Sequence, residues 1–443
     1  MNKNQPTILI IFGISGDLAK RYLLPAIEAI AKAKMLPAQF YILGVTRRAD
    51  LKVFDLLNKN VNMDYVLAHT NIYEMDITDK HEYKKLDEYL NNLEKSADIP
   101  FQRLFYLSVP PEACKSIIEL IGESGIHKKV KSKLLLEKPF GRDLTNAKDL
   151  IKHINQYFKE EDVYRIDHYL AKEAVQNIIV FRNGNSLFKK TWNKDFIERI
   201  EIVASEEIGI EGRVHFYEQT GALRDYISSH LLQLLSLVLM DLPKKCDLSK
   251  VPLLRYQALK YLDVLNVERG QYEGYKKEVN NFNTTVETFA SVSLKSKDSK
   301  WSDVIITLIT GKAMKDRFTE IRINYKKNEE HESNELVLRL QPDAGIKFSV
   351  WAKRPGYDRE LNPHVLSFNF KDHYKELPEA YEQVLFNAIN GDHSLFTSNE
   401  EVLEAWRILD PVQKKWEKDK NDLVVYQKGS AINKIINKSK FSK

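Results

Sequence analysis

The chain has 443 residues, enough for two or three domains with separate cores, and its 43% hydrophobic and 29% charged shares are those of an ordinary globular protein. A formal charge of +5 over this length is too weak to imply a nucleic-acid partner, although a small anionic substrate is compatible with it. Two cysteines, Cys114 and Cys246, offer neither a metal-ligand spacing nor a disulfide framework. No window approaches the ~18 apolar residues of a membrane span, and the apolar run Ile8 to Phe12 is too short for a signal-peptide core. A cytoplasmic protein without nucleic-acid or membrane partners is expected.

Up to about residue 180, short apolar runs ("TILIIFG", "FYILGV", "IYEMDI", "RLFYLSV", "KLLLEK") alternate with amphipathic stretches of roughly ten to fifteen residues. This rhythm predicts a Rossmann-type parallel sheet covered on both faces over residues 1–178. Beyond about residue 195, segments such as "FIERIEIVAS", "DVIITLITG" and "NELVLRLQP" alternate with period two between polar turns. They predict a large, mainly antiparallel sheet over 179–443. One face would be covered by the long helix "LRDYISSHLLQLLSLVLM" and by helices after residue 377, and a flexible basic tail would start at about 427.

The first strand runs into "GISGDLA". Gly13 permits a tight turn, and Gly16 lets backbone approach a pyrophosphate at a helix N-terminus; Ala19 stands where the usual fingerprint has its third glycine. Alone, such a pair of glycines also fits a purely structural turn. The second strand ends in "LGVTRRAD". An NAD site usually carries an acid there, whereas Arg47 and Arg48 suit a 2′-phosphate through charge-assisted bonds. NADP is therefore favoured over NAD, with dual use left open and a solvated loop as the bland alternative.

Charged and polar groups crowd an element boundary in "VYRIDHYLAKEAVQN". A helix starting near Ala171 would set His168 and Lys172 one turn apart at its N-terminus, either as a solvated corner or around an anion. With "GISGDLAKRYLLPAI", "LLLEKPFGRDL", "YRIDHYLAKEAVQN", "GALRDYISSHLLQLL", "GKAMKDR", "NELVLRLQP", "LPEAY" and "EAWRI" in this order, the chain resembles glucose-6-phosphate dehydrogenase from about residue 7 to residue 416.

The resemblance implies oxidation of C1 of glucose 6-phosphate to 6-phosphogluconolactone, with hydride transfer to NADP and no metal, by a homodimer or homotetramer. It makes His230 the general base, a role suited to an imidazole titrating near neutrality, and Asp167 the carboxylate that orients it. His168, Tyr169 and Lys172 take the sugar phosphate. Lys138, Glu206, Asp225, Lys312, Arg317 and Gln341 are further substrate residues. Gly13, Ser15, Gly16, Asp17, Leu18, Arg47, Arg48, Pro110 and Lys138 hold the cofactor, and Lys138–Pro139 is a candidate cis bond. Read without the family, His230 on an apolar stripe is a core histidine and Asp167 a helix cap.

Four departures from the family pattern stand out: Tyr22 for a lysine, Ala171 for a glycine, Ser229 for an asparagine, and no proline and arginine before "GK". They leave room for a related dehydrogenase of another aldose phosphate. A non-catalytic regulatory paralogue is a rival of another class, but it should have lost Asp167, His230 or the glycine turn.

Overall fold

The apolar run Thr7–Phe12 is buried at every position, as a strand covered on both faces requires. It is the central strand β1 of a first sheet, whose further members are β2 (Phe40–Thr46), β3 (Thr70–Glu74), β4 (Gln102–Leu107), β5 (Ser132–Glu137) and β6 (Val163–Ile166). The computed structural model describes residues 5–57, 62–97, 99–243, 247–327 and 333–441; Cys246 lies outside them. All six strands are parallel, in the order β6-β5-β4-β1-β2-β3. Leu9 and Ile11 face one helical layer with Leu23 and Ile27, while Ile8, Ile10 and Phe12 face the other with Ile117 and Ile118. Strand order reverses between β1 and β4, and that is where a doubly wound sheet opens its ligand crevice.

The second sheet contains β7 (Ile197–Ser205), β8 (Leu262–Tyr272), β9 (Phe289–Ser296), β10 (Ile305–Gly311), β11 (Phe318–Tyr325), β12 (Glu335–Gln341), β13 (Gly345–Lys353) and β14 (Leu361–Asn369). The alternation anticipated for "ELVLRLQ" is present in β12, where Leu336, Leu338 and Leu340 are buried. After β14 the chain adds β15 (Phe396–Thr397) to the first sheet and β16 (Leu423–Tyr426) to the second. The second sheet runs β14-β13-β12-β11-β7-β10-β9-β8-β16, antiparallel except at β7–β10 and β8–β16. The segment Leu223–Leu231 packs on this sheet at β7, β9 and β10.

Two stretches differ from the sequence reading. Pro378–Leu403, placed there with the second domain, belongs to the first compact unit together with Met1–Ala171 and Leu248–Pro252. Lys133 explains much of this: its Nζ donates to the carbonyls of Ala388 (2.5 Å) and Ile389 (3.0 Å) at the end of the helix Ala380–Asn390, where Gln102 Nε2 also donates to Ile389 O at 3.1 Å. Phe396 and Thr397 then pair antiparallel with Ile166 and Arg165. The expected loose tail from 427 is also ordered at its start. The Gly429 amide donates to Ala313 O, and the helix Ile432–Phe441 buries Ile435 in a core with Val203 and Phe289. Its Ile432, Ile435 and Ile436 recur at i, i+3 and i+4, an apolar stripe hidden among lysines. Among the described residues, no helix is long and apolar enough to cross a membrane.

Candidate active site

At the end of β1, Gly13 has φ +82°, and a Cβ there would lie 2.3 Å from Ser108 O. Only glycine fits, so the turn hugs the end of β4 and leaves a cavity of about 310 Å³. Gly13, Ser15, Gly16, Arg47, Arg48 and Pro110 of the expected cofactor residues line it, joined by Val45, Thr46, Ile77, Ser108 and Val109. Two other expected contacts lie differently: Asp17 is exposed and paired with Arg21 at 3.3 Å, and Leu18 packs against the core. A glycine cradle flanked by two exposed guanidiniums fits a dinucleotide with phosphate at its adenosine end.

Farther along this sheet, Lys138 follows β5, and its bond to Pro139 is cis. Asp167, 2% exposed, follows β6; its Oδ1 accepts the Tyr169 amide at 3.0 Å and its carbonyl accepts that of Leu170. These bonds draw 167–170 into a turn and delay the next helix. It begins at Glu173, with Lys172 as an extended N-cap, not near Ala171. His168 and Lys172 are therefore not stacked one helical turn apart. His168 instead meets the Tyr169 ring edge-on at 5.1 Å.

In the second unit, Lys312 is buried at the end of β10. Its Nζ is 2.5 Å from Glu206 Oε2 and 3.9 Å from Asp225 Oδ2, and it lies over the rings of Tyr217 and Tyr226. Three expected substrate residues thus converge, two carboxylates around one ammonium. Lys172 Nζ donates to Gln341 Oε1, bringing two more together. Arg317 is exposed just beyond this cluster in sequence.

His230, 2% exposed, sits on Leu223–Leu231, which is wound as a π-helix before α-helix resumes at Leu232. Residues five apart, such as Asp225 and His230, diverge on an α-helix, whereas i→i+5 bonding swings them toward one face. Ser228 and Ser229 hydroxyls donate to the carbonyls of Arg224 and Asp225 inside this segment, the latter at 3.1 Å. Nothing in the residue pattern signals the change of helical pitch.

Sequence reasoning also missed Glu137, Tyr106 and Tyr381. The Tyr106 hydroxyl donates to Glu137 Oε1 at 2.5 Å, Tyr381 bonds the same carboxyl, and burial pushes that carboxyl up to about 7. Of the departing residues, Tyr22 packs its ring on Tyr381 at 5.4 Å, and Ala171 is fully buried in the first core.

Fold and site together place the chain among the two-domain oxidoreductases that use a nicotinamide dinucleotide. Its particular family follows from known proteins. The family described as "Glucose-6-phosphate dehydrogenase, NAD binding domain" matches residues 10–177, and "Glucose-6-phosphate dehydrogenase, C-terminal domain" matches 179–439. The glucose-6-phosphate 1-dehydrogenase of Chlamydia muridarum is 33% identical over 93% of this chain and 91% of its own length. That of Bacillus subtilis is 32% identical over 97% and 95%. A solved glucose-6-phosphate dehydrogenase in complex with glucose 6-phosphate superposes with a TM-score of 0.91 at 28% identity, covering 98% of both chains. The chain belongs to the glucose-6-phosphate dehydrogenase family.

Proposed function

We propose that the chain is a glucose-6-phosphate 1-dehydrogenase of the oxidative pentose phosphate route, preferring NADP. The convergence of Glu206, Asp225 and Lys312 beside the π-helix of His230 carries this reading. Carboxylates held against an ammonium are suited to gripping sugar hydroxyls in a fixed orientation. His230 takes the C1 hydroxyl proton, and Asp167 orients the imidazole and steadies its charged form. Lys138, Arg317 and Gln341 complete the grip on substrate, and His168, Tyr169 and Lys172 receive its phosphate. A bound nicotinamide supplies the acceptor for the C1 hydride, leaving the lactone. Arg47 and Arg48 take the 2′-phosphate of NADP. The chemistry of these steps calls on no metal.

Assembly into a homodimer or homotetramer, in the cytoplasm, belongs to the same proposal. The edge strand β14 supports it, since Val365 and Leu366 are each 61% exposed there. Light scattering after size exclusion tests the assembly, with a monomer contradicting it. The decisive experiment is cofactor reduction at 340 nm, with glucose 6-phosphate crossed against NADP and NAD and with glucose as control. Reduction that requires the phosphate and runs faster with NADP is expected. Equally fast cofactor reduction with glucose in place of glucose 6-phosphate would leave His168 and Lys172 idle and overturn the substrate assignment.

A further inference from the structure

Glu137 is the last residue of β5, and its register partner on β6 is Ile166, so it stands between Lys138 in the chain and Asp167 across the sheet. Its carboxyl receives two hydroxyls from different elements: Tyr106 on β4, fully buried, and Tyr381 in the first turn of the helix Ala380–Asn390. The Tyr381 ring lies parallel to that of His168, centroids 6.4 Å apart. One carboxyl thereby ties together the strand leading to Lys138, the helix brought back from residue 380, and the ring beside His168.

We propose that Glu137 is a positioning residue of the dehydrogenase: ionised, it accepts both tyrosine hydroxyls and fixes Lys138 and the Asp167–His168 turn for reaction. This rests on the proposed roles of Lys138, Asp167 and His168. Protonation turns the carboxyl into a donor, so both hydroxyls can no longer be accepted as they are, and the attraction to Lys138 is lost. The groups facing Glu137 are Tyr106, Tyr381, Lys138, Asp167 and the Cys114 thiol. Burial raises its affinity for a proton most; the two tyrosine bonds and then Lys138 lower it, and Asp167 raises it again. The resulting value of about 7 puts this protonation near neutral pH. A buried carboxyl that merely staples two tyrosines would cost stability when removed but would leave the pH profile of turnover unchanged.

The test is kcat/KM for glucose 6-phosphate between about pH 5.5 and 8.5 in the wild type, E137Q and Y381F. Ionisation of His230 and of the substrate phosphate is common to all three, so differences between profiles report Glu137. E137Q keeps a carbonyl acceptor but does not titrate. Its acid limb is expected to be shallower than the wild-type limb by about one log unit per pH unit, reflecting one proton fewer. Y381F removes one bond that favours the ionised form, so its limb is expected to keep the wild-type steepness and move to higher pH. Equal slopes in wild type and E137Q, or an unmoved limb in Y381F, overturn the proposal. Carbon-13 NMR of carboxyl-labelled glutamate, with E137Q assigning the signal, reads the ionisation without turnover. A titration below about pH 5 overturns the positioning role even if glucose 6-phosphate is oxidised. A wild-type chain that oxidises no glucose 6-phosphate overturns the proposed function instead.

Discussion

The glycine turn after β1 and the lysine cluster after β10 are both places where a strand ends and ligand chemistry begins, yet they are assembled differently. The first is local: Gly13, Ser15 and Gly16 lie within four consecutive residues, and the strand partners they lean on follow from βαβ order. The second draws Glu206, Asp225 and Lys312 from separate elements across more than a hundred residues. A parallel sheet delivers its strand ends to one edge by topology, so a short motif can announce a site there. The nine-stranded sheet is mostly antiparallel, and the parallel pairing of β7 with β10 that sets Glu206 beside Lys312 joins strands far apart in the chain, so this cluster exists only once strand order and register are set.

The largest expected effect tests the second region. His230→Asn should lower kcat by ~10²- to 10⁴-fold, the scale of general-base assistance, in steady-state rates at 340 nm. Near-normal turnover would return His230 to an ordinary core residue. Lys312→Met should follow, destabilising the fold by about 3 kcal/mol in denaturant titration, because Glu206 and Asp225 would be left together without their cation. A variant as stable as the parent would show the cluster to be loosely coupled, sharpening the contrast with the rigid glycine turn.

In the first region, replacing Arg47 and Arg48 by alanine should raise KM for NADP about tenfold while leaving that for NAD within twofold, the loss of one good charge-assisted contact. An equal rise for both cofactors would make them general electrostatic residues.

The smallest effect concerns Lys133. Burial pulls its proton affinity down to about 7, below that of the unfolded chain. The folded state therefore binds fewer protons between about pH 7 and 10, and stability contributed by this site rises with pH across that window. Lys133→Met should lose that rise, and near pH 7 it should cost no more than about 1 kcal/mol, because Ala388 O keeps the Gly391 amide and Ile389 O keeps Gln102 Nε2 as donors. Chemical denaturation at several pH values reads both.

Much of the fold was legible because its two rhythms are long and uniform: unbroken apolar strands in one unit and alternating strands in the other. The Gly13 turn and the Arg47–Arg48 pair were legible for the same reason, since each obeys a local rule of backbone or charge. His230 and Asp167 were not legible from physics alone; a histidine on an apolar stripe looks like core, and only the ordered family motifs assigned it chemistry. The start of the helix at Glu173 escaped because Asp167 spends its carboxylate on a turn, a competition between side chain and helix that propensity does not resolve. The π-wound segment escaped because no residue type encodes its pitch. Glu137 escaped because its partners sit on β4 and on a helix some 240 residues later in the chain.

That late helix bears on how the protein comes off the ribosome. The first unit spans Met1–Ala171, yet it is complete only when Pro378–Leu403 has been made, roughly 230 residues later. At 5–20 residues per second, the outer edge of β6 and the apolar residues under the helix Ala380–Asn390 wait on the order of ten to fifty seconds for their cover. During that interval the nascent sheet offers an unpaired strand edge, open to pairing with other chains until Phe396 and Thr397 arrive.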